Sequence, residues 1–184
     1  VEINKISDDI TVFENIIPVE YVDYLNKKFL SNSTEEDWPK FPSSDPNYGG
    51  HWDYRIFDLK KKASSEDSSF IKKTENEILN QIKIFLGKDY TTSDGLEMVM
   101  RALPGQSMDV HTDNHSEKCK YGIVFYYNDD YEGGEIFYPD FDLIVKPKKR
   151  SVVVHGATIK HGVKEVINGI RYYSTSFFFD GDLP

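Results

Sequence analysis

Cysteine is almost missing from this chain: Cys119 stands alone among 184 residues. One thiol cannot close an internal disulfide or build a CxxC-type zinc site, so covalent staples and thiolate metal centres are excluded. Long apolar runs are missing too. No stretch approaches the roughly 18 residues that a bilayer-spanning helix needs. The opening Val1-Glu2-Ile3-Asn4 lacks the basic-then-apolar layout of a secretory signal. A soluble, cytoplasmic protein with no membrane partner is therefore the expectation. Positive charge is in deficit, with 22 Lys and Arg against 31 Asp and Glu, a formal net charge of −9. Such a chain repels phosphate backbones, which argues against nucleic acid as a partner. Methionine is scarce, at three residues, whereas Tyr and Phe number twelve each. Aromatic rings suit pleated, half-buried surfaces, so the imbalance points to a β-rich protein.

With 39% apolar residues the chain can bury an ordinary core, and its length suits one domain spanning 1–184. Residues 10–30 read as a short strand followed by a helix, in which Val22, Leu25, Phe29 and Leu30 recur at helical spacing. Pro18 makes a plausible helix opening, because its missing amide proton would be unpaired there anyway. Residues 31–69 are rich in Ser, Asp, Asn, Pro and Gly, with Trp38, Phe41, Tyr48, Trp52, Tyr54 and Phe57 scattered among them. They read as a lid or an insertion, with Tyr48-Gly49-Gly50 as hinges. Helical periodicity returns over 70–86, with Ile71, Ile78, Ile82 and Phe85 on one stripe and Gly87 as the stop. From Leu96 onward the period falls to two, and eight short strands succeed one another to about residue 180. The fold expected is mainly β (α+β). It has a double-stranded β-helix, or jelly roll, over 96–180, packed against N-terminal helices. Ile144, Val145 and Val152–Val154 are expected in its core.

His111-Thr112-Asp113 is the first feature with chemical content. On an extended chain, residues two apart point to one face, so the imidazole and the carboxylate can converge. A third ligand must come from His51, His115, His155 or His161. His161 lies past the Val152–Val154 strand and can sit on a neighbouring strand at the same barrel mouth. His155 is its rival and reads as a structural histidine, since no arginine follows it at the matching distance. Two His and one carboxylate leave three positions of an octahedral ion open, which suits non-haem Fe(II) oxygen chemistry, although zinc could bind the same groups.

Arg171 lies ten residues after His161, beyond Ile167-Asn168-Gly169. A three-residue hairpin loop with Gly169 left-handed would pair Val166 with Ile170 and Glu165 with Arg171. His161, Val163, Glu165, Arg171, Tyr173 and Thr175 would then share a face. A two-residue Asn-Gly loop would turn Arg171 away from His161. The first register lets Arg171 receive a carboxylate ligand in bidentate fashion. The competing reading is a surface Arg171–Glu165 pair.

Taken in order, these residues resemble the Fe(II)/2-oxoglutarate-dependent dioxygenases, in particular the prolyl 4-hydroxylase-like branch. The carriers are Leu103-Pro104-Gly105, His111-Thr112-Asp113, Tyr126-Tyr127-Asn128-Asp129 and Gly133-Gly134-Glu135-Ile136-Phe137. Lys146-Pro147-Lys148, His161-Gly162-Val163, Arg171-Tyr172 and Phe178-Phe179-Asp180 complete the series. The resemblance implies that His111, Asp113 and His161 ligate Fe(II). It makes Arg171 the clamp for the distal carboxylate of 2-oxoglutarate, assisted by Tyr126, with Thr175 facing inward. It further implies consumption of O2, release of succinate and CO2, and ascorbate as a candidate reductant. The substrate would be a peptidyl prolyl or related residue, with a free amino acid or other small molecule as the alternative. A jelly-roll metal-binding module without turnover is the reading from a different class. Two departures stand out. Leu103 occupies a position where related hydroxylases often carry Tyr, so that hydrogen bond must be lost or supplied by Tyr126 or Arg101. Phe177 replaces the second arginine typical of the branch that repairs alkylated nucleic acids.

Overall fold

The computed structural model describes residues 1–39, 55–93, 97–114 and 116–183. The chain opens with β1 (Glu2–Lys5), β2 (Ile10–Glu14), α1 (Val19–Leu25) and a π-helical turn over Asn26–Leu30. Next come β3 (Arg55–Asp58), the single turn α2 (Leu59–Lys62) and the long helix α3 (Ser65–Leu86). Strands then follow in succession: β4 (Thr91–Thr92), β5 (Met98–Ala102), β6 (Met108–His111), β7 (Cys119–Tyr126), β8 (Glu132–Gly133) and β9 (Ile136–Tyr138). The chain ends with β10 (Leu143–Val145), β11 (Ser151–Gly156), β12 (His161–Val163), β13 (Val166–Asn168) and β14 (Arg171–Phe179).

A major sheet runs in the order β1-β2-β11-β7-β14-β5-β3, with β4 on the end of β14. A minor sheet runs β10-β9-β12-β6, and β13 pairs with β8. Every pairing is antiparallel, so the two layers form the expected jelly roll. Period-two alternation assigns each face. In β11, Val152 and Val154 join Phe13, Ile123, Phe125 and Phe178 under α1 and α3. Val153 turns the other way, onto Val12, Val124, Tyr126 and Tyr173 and, from the minor sheet, Ile136, Tyr138 and Val145. Among the described residues no helix is long and apolar enough to cross a membrane.

Several expectations need correction. α3 starts at Ser65 rather than 70, because Ser64 and Asp67 form a reciprocal capping box there. Phe85 is exposed on that helix rather than buried. The lid or insertion expected over 31–69 has structured flanks. Trp38 and Phe57 lie in the helix-side core, and Arg55–Asp58 adds a strand to the major sheet beside β5. Phe41, Trp52, Tyr54 and the Tyr48-Gly49-Gly50 hinge fall outside the described residues. Ile144 is 55% exposed, since the middle residue of a strand with one solvent face points outward.

The hairpin joining His161 to Arg171 also differs from expectation. Val166–Asn168 pairs with β8, whereas β14 pairs with β5 and β7, so neither Glu165–Arg171 nor Val166–Ile170 is a cross-strand pair. Between Asn168 and Arg171 the chain passes from one layer to the other. Gly169 makes this step with φ 79°, and a Cβ there would lie 2.8 Å from the Asp130 carbonyl oxygen.

Candidate metal centre and anion clamp

His111 ends β6 and His161 opens β12, and the two stand directly opposite each other in the minor sheet. Asp113 lies two residues past His111, and its amide donates to the Ala157 carbonyl at 2.9 Å, which ties this end of β6 to the major sheet. One ligand atom from each of His111, Asp113 and His161 lies within 4.8 Å of the others. His111 Nε2 is 3.6 Å from Asp113 Oδ1, and His161 Nε2 is 3.8 Å from Oδ2.

The hydrogen bonds define which nitrogen each ring can offer. His111 Nδ1–H donates to the Asp109 carbonyl at 2.8 Å, and His161 Nδ1–H donates to the Ile159 carbonyl at 3.0 Å. Each bond places the ring proton on Nδ1 and leaves Nε2 as the lone-pair nitrogen turned toward Asp113. Burial lowers the His161 pKa to about 3, helped by the fields of His155 and His111 and opposed by Asp113, so the ring is neutral at physiological pH. Burial works the other way on Asp113, raising its pKa. The hydrogen bond from His155 and the fields of the three histidines outweigh it and hold the carboxyl at about 2. A neutral His161 beside an ionised Asp113 is the pair of protonation states in which these two groups bind a divalent cation.

His155 has a different partnership. Its ring is fully buried, Nε2 lies 3.0 Å from Asp113 Oδ2, and Nδ1 lies 3.1 Å from the Tyr138 hydroxyl. Both nitrogens are engaged, so His161 rather than His155 has the nitrogen to give. His51 and His115 fall outside the described residues.

Deeper in the barrel, Arg171 is 2% exposed. Its Nη2 donates to the Tyr126 hydroxyl at 3.2 Å, and its guanidinium stacks over the Tyr173 ring at 4.1 Å. Among the described residues Nε–H has no hydrogen-bond partner and no carboxylate pairs with this cation. A buried guanidinium stacked on tyrosines and short of an anion fits a carboxylate ligand. The cleft it lines is bounded by Ala102, Gln106, Ser107, Met108, Val163 and Tyr173. Thr175 alternates with Arg171 and Tyr173 along β14 and pairs with Val124, on the same face. Arg101 points to the other face, where it bonds Glu35 and stacks on Trp38. It therefore cannot replace a hydrogen bond missing at Leu103. Two groups went unread in the sequence. Tyr131 places a buried hydroxyl in the field of Arg171, beside it at Gly134, and Tyr138 reaches His155.

Comparison with protein families found no match, and no curated protein is similar by sequence. Solved structures are similar. An oxidoreductase of the 2OG-Fe(II) oxygenase family from Burkholderia pseudomallei superposes with TM-score 0.71 at 12% identity, over 93% of this chain and 85% of that one. The chain has the 2OG-Fe(II) oxygenase fold. Two other structures with this fold are prolyl hydroxylases. The Pseudomonas putida prolyl-4-hydroxylase matches with TM-score 0.66 at 17% identity, covering 97% of this chain and 96% of its own. The Trichoplax adhaerens enzyme, solved with a hypoxia-inducible-factor peptide fragment, matches with TM-score 0.69 at 16% identity over 96% and 86%. Within the 2OG-Fe(II) oxygenase fold, His111, Asp113 and His161 come from the minor-sheet side, and Tyr126 and Arg171 from the major sheet.

Proposed function

We propose that this chain is an Fe(II)- and 2-oxoglutarate-dependent dioxygenase that hydroxylates a C–H bond of a peptidyl prolyl or related residue. One observation carries the reading: two imidazole Nε2 atoms face the buried Asp113 carboxyl in the same barrel as Arg171, a buried cation that no carboxylate of the described residues pairs with. The donor set, two His and one carboxylate, suits Fe(II) with positions left open for other ligands. Bound Fe(II) supplies oxidative decarboxylation of 2-oxoglutarate by O2, giving succinate, CO2 and one oxygen atom inserted into the substrate C–H bond.

The chain's own residues bind, orient and shield. His111, Asp113 and His161 would hold the metal. Arg171 takes the distal carboxylate of 2-oxoglutarate through charge-assisted hydrogen bonds, and the Tyr126 hydroxyl fixes the guanidinium from behind. Tyr173 and Val163 line that cleft, and their apolar surface would strengthen the pairing by lowering the local dielectric. The peptide substrate class is supported by the peptide bound to the Trichoplax enzyme. The whole chain is read as one catalytic domain.

Anaerobic titration with Fe(II) and 2-oxoglutarate tests the reaction class. A weak charge-transfer band at about 500 nm is expected for chelated 2-oxoglutarate. A silent titration would leave a metal-binding jelly roll without turnover. A screen of peptides and free amino acids, scored by a mass gain of about 16 Da, then separates a peptidyl from a small-molecule substrate.

A further inference from the structure

We propose that His155 is a positioning residue, which holds Oδ2 of Asp113 by a relay from Tyr138 and so presents the carboxylate to the cation through Oδ1. The inference rests on the metal-binding reading above and concerns a histidine which that reading does not use.

The direction of the relay follows from the donors available. An ionised carboxylate only accepts, so the His155 Nε2 facing Asp113 Oδ2 at 3.0 Å carries the proton. Nδ1 is then the acceptor, and the Tyr138 hydroxyl at 3.1 Å donates to it. His111 and His161 are protonated on the opposite nitrogen, because backbone carbonyls receive their Nδ1–H. One pocket thus holds two histidines with Nε2 lone pairs and one with an Nε2 proton. The difference is set by the obligate acceptor each ring meets: a backbone carbonyl at Nδ1 for His111 and His161, the Asp113 carboxylate at Nε2 for His155.

The packing is arranged around this contact. His155 and Tyr138 are both fully buried, so neither nitrogen can exchange its partner for bulk water. Gly122 lies opposite His155 in the sheet. A Cβ on Gly122 would stand 2.1 Å from Asp113 Oδ2 and 2.7 Å from His155 Nε2, so the close approach exists because that position has no side chain. With Oδ2 engaged by His155 and 3.8 Å from His161 Nε2, Oδ1 faces His111 Nε2 at 3.6 Å. Holding one oxygen in a hydrogen bond disfavours chelation by both, and it keeps open the positions that a bidentate cosubstrate and a third ligand need. Groups that orient metal ligands in this way typically contribute 10–100-fold in metal affinity.

The test uses Co(II) as the probe, because its visible spectrum reports ligand geometry and its binding needs no turnover. Dissociation constants and d–d spectra are measured for the full chain and its variants, with melting curves as a control for folding. The wild type is expected to bind, and Asp113→Ala and His161→Ala to lose binding. His155→Phe should weaken Co(II) by about 10–100-fold and shift the spectrum. His155→Gln, whose amide nitrogen can replace Nε2–H, should recover most of the loss. Tyr138→Phe removes only the hydroxyl, keeps the ring packing, and should weaken Co(II) by a smaller factor. Should His155→Phe fail to fold, a Tyr138→Phe protein with wild-type affinity and spectrum overturns the relay. A folded His155→Phe protein that matches wild type in both readouts overturns it directly. Co(II) retained by His161→Ala but lost by His155→Phe would make His155 a ligand and overturn positioning. A wild type that takes no Co(II) overturns the metal reading, and the role of His155 with it.

Discussion

Two arginines on neighbouring strands show how differently the two faces of the major sheet are built. Arg101 of β5 pairs with Tyr172, and Arg171 of β14 pairs with Ala102, so their side chains leave the sheet on opposite sides. Both are buried, at 5% and 2% exposure, respectively, and in both Nε lacks a partner. On the helix side, Arg101 is neutralised by the chain itself, through Glu35 at 2.6 Å, and it stacks on Trp38. On the barrel side, Arg171 has tyrosines around it and no carboxylate among the described residues. Burying a cation is costly unless it is paired. One face therefore has a completed structural pair, and on the other the guanidinium is paired with no carboxylate of the described residues. The carboxyl groups differ in the same way. Glu75 on the helix side is pushed up to about 7 by burial, against a hydrogen bond from Tyr21. Asp113 on the barrel side is held at about 2 by its histidines.

The largest effect expected is on the barrel side. His161→Ala should cut succinate formation by about 10³-fold or more, since on the proposed reading it removes a ligand of the metal on which turnover depends, while circular dichroism shows an unchanged fold. Turnover that survives would mean that His155 takes its place. Arg171→Met should raise the 2-oxoglutarate KM by about 10–100-fold and change kcat less. This follows from about 1.5–3 kcal/mol for charged hydrogen bonds and tenfold per 1.4 kcal/mol. An unchanged KM would remove the contrast between the two arginines.

On the helix side the effects should appear in stability alone. Because the folded Glu75 keeps its proton up to about pH 7 while the unfolded chain releases it near the ordinary 4.5, stability should fall as pH rises through that window. The loss is on the order of a few kcal/mol. Glu75→Gln should flatten this slope in urea melts at pH 5 and pH 8; a slope that persists would assign it to another group. Arg101→Met should be the mildest change, costing about 1–2 kcal/mol through lost stacking and hydrogen bonding. Its 2-oxoglutarate KM should stay at the wild-type value.

Much of the barrel was legible because period two is a local property. Spacing alone put His111 and Asp113 on one face, and alternation from Arg171 gave Tyr173 and Thr175. The partners of β14 were not legible. A hairpin reading pairs a strand with its nearest neighbour in sequence, whereas β14 lies between β7 and β5, far upstream. The face of Arg101 depends on that same long-range register. Arg55–Asp58 was hidden because a four-residue edge strand carrying three polar or half-buried positions has little apolar pattern. The signal for His155 was present: it follows Val153 by two residues on β11 and so shares the face that holds the site. What local pattern could not supply was Tyr138 on the other sheet, whose hydroxyl meets the second nitrogen of that ring.

The divided origin of the site has a mechanical meaning. Its cation-binding groups belong to the thinner layer and its clamp to the broader one, so a metal ion and a dicarboxylate held together would rivet the two sheets across the barrel. Loading should then raise the melting temperature by more for both ligands together than for the sum of each alone. Heating curves alone would reveal that coupling before any substrate had been found.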